Sequence, residues 1–260
     1  MNRFFIKFEF FFIFHKSKFL KKKIFYFSKK KKILKNQLFQ YKFNERWFFN
    51  NIEIINYFLP SLKDIEFNYL EVGSHEGMSL LNVLTQYKNV RATSIDIWSD
   101  NVIEKTFNEN LKHFKNCKKI KQDSIVALRK LKNEDKKFDY IFIDGFHEGD
   151  HILIDAIQAF KILKINGIMI FDDFMQHDEK LIYKSYEGIY YFLKLFKKEI
   201  KILYFQNILI IKKLSKWRDG RVVEGARLES VYTVKGIKGS NPFLSAKVLY
   251  NPAIKFFFVF

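Results

Sequence analysis

The chain is poor in cysteine, with one, Cys117, in 260 residues. That excludes an internal disulfide and a cysteine-rich zinc site. It also fits a reducing compartment, so a cytoplasmic protein is expected. No run of about 18 uncharged apolar residues occurs, so no conventional transmembrane helix is expected. Acidic residues are scarce at the two ends. Residues 1–36 hold 12 Lys/Arg against one acid, and 217–260 hold 7 against 3. The middle, 37–216, is nearly balanced at 27 against 24. The formal net charge of +18 is therefore a property of the ends. This weakens a nucleic-acid reading, which calls for a basic face on the folded domain, and no specific nucleic-acid partner is expected.

What is present is globular. An apolar fraction of 48% and a charged fraction of 28% exclude a wholly disordered chain. The length suits one domain with extensions. The 32 phenylalanines, with abundant Lys, Ile, Asn and Tyr, are residues of A/T-rich codons, so the aromatic and basic bias reads as genomic. Residues 4–14 are rich in Phe, but Lys7 and Glu9 interrupt them and no small-residue cleavage site follows. A signal peptide needs both features. The basic, aromatic stretch 1–36 is expected to be a poorly ordered extension, with weak contact to an anionic membrane surface as the alternative.

From residue 68 the chain alternates strand and helix. Asn68–Val72, Ala92–Ile97, Lys119–Asp123, Phe138–Asp144 and Ile168–Phe171 read as strands. Helical patterns lie between them at 76–87, 101–114, 124–131 and 150–163, the last stopped by Asn166-Gly167. A further helix at 184–197 precedes two apolar runs, 200–205 and 208–212, which read as a hairpin across Gln206-Asn207. The pattern predicts an α/β, doubly wound, Rossmann-like sheet of seven strands, mostly parallel with an antiparallel C-terminal hairpin.

Ligands of open α/β sheets bind beyond the carboxyl ends of the strands. Five polar clusters fall there. The first is Glu71-Val-Gly73-Ser-His-Glu-Gly77, whose glycines let the backbone turn sharply and approach a ligand. It is not a dinucleotide fingerprint, because no glycine stands at 75 or 78. Asp96 follows Gly73 at the offset from which an acid accepts hydrogen bonds from ribose hydroxyls. Gln122-Asp123-Ser124, Asp144-Gly-Phe-His147 and Asp172-Asp173 complete the set.

With these residues in place, 68–174 resembles a class I S-adenosylmethionine-dependent methyltransferase. The likeness is to the small bacterial O-methyltransferase-like branch, whose fourth and fifth strands read like Phe138-Asp-Tyr-Ile-Phe-Ile-Asp-Gly-Phe-His147 and Gly167-Ile-Met-Ile-Phe-Asp-Asp-Phe174. The resemblance implies that Glu71, Gly73 and Gly77 lie under the methionine part of S-adenosylmethionine. It further implies that Asp96 holds the ribose, that Asp123 and Ser124 lie near the adenine, and that Trp98 flanks the adenine ring. It also implies a seat for Mg2+ or another divalent cation at Asp144, Asp172 and Asp173. His147, three residues beyond Asp144, would be the base that prepares an acceptor hydroxyl. The expected activity is methyl transfer to an oxygen of a small-molecule or sugar acceptor. Two other readings stay open: a nucleotide-dependent oxidoreductase or epimerase on the same fold, and a noncatalytic binder of nucleic acid or membrane surface.

Residues 37–215 are expected to form this domain, and 216–260 a non-native or disordered tail. Residues 217–246 resemble the translation of a serine transfer-RNA gene. Gly239-Ser-Asn-Pro242 is what GGTTCGAATCC encodes, and Gly220-Arg-Val-Val-Glu-Gly225 matches the D-arm region.

Overall fold

The computed structural model describes Ile6 and residues 9–27, 37–172, 174 and 184–215. The chain divides into two units, 1–216 and 217–260. The tail reading at 216–260 and the residue Asp173 lie outside the described residues.

Seven apolar runs become strands: β1 (Phe67–Val72), β2 (Val90–Asp96), β3 (Cys117–Lys121), β4 (Phe138–Ile143), β5 (Leu163–Phe171), β6 (Ile200–Phe205) and β7 (Leu209–Lys213). They form one sheet in the order β3-β2-β1-β4-β5-β7-β6. Strands β1 to β5 pair in parallel, and β7 is antiparallel to both β5 and β6. A parallel strand covered on both faces must be apolar without alternation. That is why Ile141, Phe142 and Ile143 are all buried. The crossovers supply the two outer layers. On one face α5 (Ser124–Asn133), α6 (Gly149–Ile162) and α7 (Ser185–Leu195) pack side by side. On the other, α2 (Ile52–Phe58), α3 (Met78–Leu84) and α4 (Asn101–Leu111) bury Ile52, Ile55, Leu80 and Phe107 in one cluster with Tyr69, Phe142 and Ile210. The chain winds from β1 outward to β2 and β3, then returns to β4 beside β1. The crevice between β1 and β4 is thus the switch point where such folds hold ligands.

Two features differ from the sequence reading. Asn166-Gly167 does not stop a helix: α6 ends at Ile162, and β5 already begins at Leu163, paired with Phe138. The pairing register shifts between Phe138 and Tyr140, and Asn166 takes φ +66 within the strand. The Asn-Gly pair therefore absorbs a bulge. At this junction Lys213 Nζ donates to the carbonyls of Phe160 (2.6 Å) and Leu163 (2.8 Å), satisfying the end of α6. Burial holds this ammonium down at about 8.

The second difference is at the N-terminus, where the extension contains a docked helix, α1 (Phe11–Phe27). It covers β6, the last strand of the sheet. Ser17 is buried and its Oγ accepts from the Phe205 amide at 2.9 Å, while Gln206 Nε2 donates to the Phe14 carbonyl at 2.8 Å. An edge strand otherwise leaves such amides open to wrong partners. Just before the helix, Glu9 accepts from Tyr190 and Lys194 of α7.

Candidate active site

The site grows from the turn after β1. Gly73 takes φ +82, and a Cβ there would lie 2.1 Å from the Asp144 carbonyl oxygen. Only glycine lets this turn run against the backbone leaving β4. Gly77, at φ +85, closes the turn by donating its amide to the Ser74 carbonyl at 2.7 Å and then starts α3. Between them His75 is also left-handed, at φ +47, and its side chain is exposed. A dinucleotide loop needs bare backbone at this point to admit a pyrophosphate. An imidazole on that surface opposes the oxidoreductase reading.

Asp96, at the end of β2, fastens the turn. Its Oδ2 accepts from the amides of Ser74 (2.9 Å) and His75 (2.8 Å), and its Oδ1 from the Trp98 amide (2.8 Å). The carboxylate so placed has one acceptor site left, on Oδ1, for a ligand hydroxyl. Ser94 Oγ donates to Ser74 Oγ beneath it at 2.7 Å. A second fastening comes from the segment before the sheet. Buried Glu76 accepts from Asn44 through both the amide (2.9 Å) and Nδ2 (2.6 Å). Asn110 of α4 donates to the carbonyls of Lys42 and Glu76. Residues 42–44 are thereby drawn beside the glycine turn.

Glu71, on β1, is completely buried and accepts from Tyr69 Oη at 3.1 Å. Burial pushes its carboxyl from 4.5 up to about 8, an effect that the Ser79, Ser74 and Tyr69 hydroxyls only partly offset. Glu71 is thus neutral at pH 7 in the ligand-free protein.

The Trp98 indole is buried, packed on Phe107 at 4.5 Å, with Lys119 Nζ 4.5 Å from its ring centroid and Nε1 donating to the His75 carbonyl at 2.9 Å. Its backbone is left-handed, at φ +40. The exposed residue beyond Asp96 is Ile97. Asp123 caps α5, its Oδ1 accepting from Ile125 and Val126 amides. Ser124 Oγ donates to both oxygens of buried Asp155, at 2.8 and 3.0 Å. These contacts tie α5 to α6.

Beyond β4 and β5, Asp144 and Asp172 follow the paired residues Ile143 and Phe171 and so sit side by side. The Asp172 amide donates to the Ile143 carbonyl at 3.0 Å. Its carboxylate is buried and accepts from Asn51 Nδ2 at 2.9 Å. Two hard oxygen donors on adjacent strands suit a magnesium-like cation. Among the described residues, however, the three ligand atoms brought within 4.8 Å of one another belong to Glu148, Asp150 and His151. His147 is half-buried in the loop between Asp144 and α6. The sequence reading missed its neighbour His151, whose imidazole is pushed up chiefly by its hydrogen bond with Asp150 and which packs on Phe146 at 5.1 Å. Asp155, one turn further along α6, is raised by burial to about 7. The four-residue spacing of His151 and Asp155 on α6 was the available signal.

The glycine turn locked to an acid at the next strand end lies on a 3-2-1-4-5-7-6 sheet with β7 reversed. Residues 70–174 match the family model described as a methyltransferase domain. No curated protein matches the sequence. Solved structures share the fold at low identity. MycE methyltransferase of the mycinamycin biosynthetic pathway, in complex with Mg and S-adenosylhomocysteine, aligns at TM-score 0.52 and 14% identity, over 70% of this chain and 53% of that one. This chain thus spans about half of its length. A protein from Klebsiella pneumoniae provisionally assigned as an O-methyltransferase aligns at 0.52 and 12%, over 78% and 98%. One from Staphylococcus aureus, provisionally a caffeoyl-CoA O-methyltransferase, aligns at 0.50 and 17%, over 77% and 99%.

Proposed function

We propose that this chain transfers the methyl group of S-adenosylmethionine to an oxygen of a small-molecule acceptor, sugars included. The observation that carries the reading is the Gly73–Gly77 turn held by Asp96, over the neutral, buried Glu71. MycE, bound to Mg, S-adenosylhomocysteine and mycinamycin VI, supports it by analogy. S-adenosylmethionine, when bound, supplies a methyl group already activated by its sulfonium. The chain's own work is therefore alignment and proton removal. Gly73 and Gly77 give the cofactor a close backbone bed, and Asp96 accepts from a ribose hydroxyl at Oδ1. His147 accepts the proton of the acceptor hydroxyl at an imidazole nitrogen. Asp144 and Asp172, with Asp173, would hold a divalent cation that lowers the hydroxyl's pKa.

Calorimetric titration with S-adenosylmethionine and S-adenosylhomocysteine tests the cofactor. Binding of NAD in their place would overturn the reading. His147→Ala should slow turnover roughly 10²–10⁴-fold at unchanged cofactor affinity, and wild-type turnover would make His147 a bystander. Activity lost to a chelator and restored by magnesium supports the aspartate seat, and indifference to the chelator removes it.

A further inference from the structure

α1 has a second face that covering β6 does not explain. Its inner side carries Ser17 and Ile24, both buried. On the opposite side Phe12 and Phe19 are 84% and 74% exposed. Seven residues apart, they lie on one line of the helix about 10 Å long. Lys16 and Lys23 repeat the same spacing along one flank, and His15 and Lys22 along the other. Phe11 adds a third exposed ring near the start. The helix holds five lysines and no acid.

Exposed large rings in a continuous line mark an interaction surface rather than ordinary scatter. The chemistry of the line names its partner. Rings along the middle call for an apolar layer of shallow depth, and lysines on both sides call for anionic groups at its rim. A bilayer surface with anionic headgroups offers both. A duplex nucleic acid offers the phosphates but no apolar layer. A second copy offers rings but opposes its five lysines to these five. No helix among the described residues is long and apolar enough to cross a membrane, so the contact is with the surface.

We propose that the outward face of α1 seats the protein on anionic lipid, with Phe12 and Phe19 in the headgroup boundary and Lys16, Lys22 and Lys23 against the charges. The inner face holds β6 at the same time, so the helix joins the enzyme's sheet directly to the membrane plane.

Full-length protein is sedimented with vesicles of phosphatidylcholine alone and with an added fraction of phosphatidylglycerol. The expected result is binding only to the second, weakened by salt. It should fall at least tenfold in Phe12→Ser/Phe19→Ser and in Lys16→Glu/Lys23→Glu. Both variants should keep the wild-type unfolding midpoint, since neither touches the face on β6. Protein left in the supernatant, or both variants binding as wild type does, would overturn the proposal. So would stronger binding to a single-stranded oligonucleotide than to the vesicles. A concentration-dependent dimer abolished by the Phe12/Phe19 variant would assign the face to a second copy instead.

Discussion

Glu71 makes a sharp prediction about stability and pH. In the unfolded chain its carboxyl titrates near 4.5, and in the folded, ligand-free protein at about 8. Below 4.5 both states hold the proton, and burial costs nothing extra. As pH rises through 4.5 the unfolded chain releases its proton while the folded chain keeps it. Stability then falls by about 1.4 kcal/mol per pH unit until the folded carboxyl also ionises near 8. The accumulated loss is about 3 kcal/mol at pH 7 and approaches 5 at pH 8, a large share of the usual 5–15 kcal/mol. Glu71→Gln has no proton to lose. Its carbonyl can still accept from Tyr69, but its amide brings donors that the pocket does not satisfy, a cost of about 1–3 kcal/mol. The variant should therefore be less stable than wild type at pH 4.5 and more stable at pH 8, with the curves crossing between. Urea unfolding of the ligand-free proteins at half-unit pH steps measures this. Asp155, raised to about 7, adds a slope of the same sign to both proteins and cancels in the difference. Parallel wild-type and variant curves across that range would refute a neutral buried Glu71.

Three further perturbations follow from the same contacts. Asp96→Ala should weaken S-adenosylmethionine binding about 5- to 150-fold by calorimetry, because the ribose acceptor and the fastening of Ser74 and His75 are lost together; unchanged affinity would remove the ribose assignment. Gly73→Ala places a methyl 2.1 Å from the Asp144 carbonyl oxygen and forces φ +82 on a residue with a Cβ. Its thermal midpoint should drop by the equivalent of about 3 kcal/mol or more, and a wild-type midpoint would show that the two turns are not in contact. Lys213, lowered from 10.5 to about 8, makes the folded state release its proton first, so stability should climb between pH 8 and 10.5. Lys213→Met should flatten that climb, and a rise persisting in the variant would assign it to another group.

The parallel core was readable because its strands obey one local rule. Phe138 to Ile143 is apolar on both faces, and a helix-period segment follows each such run. The glycine turn and Asp96 were readable because strand ends are where this fold does its binding. What was not legible depended on direction or on distant partners. Trp98 follows Asp96 by two residues, but its left-handed backbone sends the indole inward, and spacing alone carries no such information. Asn166-Gly167 has the composition of a helix stop; only the pairing of Leu163 with Phe138 makes it a bulge. α1 shows no clean helical period because two opposite faces are both partly apolar, one seated on β6 and one exposed. Asp155 gains its raised titration from burial, against the lowering effect of the Ser124 hydroxyl, and a one-dimensional pattern does not display that burial.

The bond from Phe205 to Ser17 closes a loop of 188 residues. A growing chain makes α1 long before the strand it will cover. Through most of synthesis the helix has only its early neighbours, such as Ile52 and Ile55, to pack on, and the outer edge of the sheet does not exist. Parallel strands β1 to β5 can collect around the crevice in the meantime, since their partners arrive in succession. The hairpin then adds β7 beside β5 and β6 outside it, and only afterwards can α1 cover β6. Closing so wide a loop is slow, and loss of the dock accelerates opening more than it retards assembly. A variant such as Ser17→Ala should shorten the half-life against a protease while leaving the refolding rate of the crevice untouched.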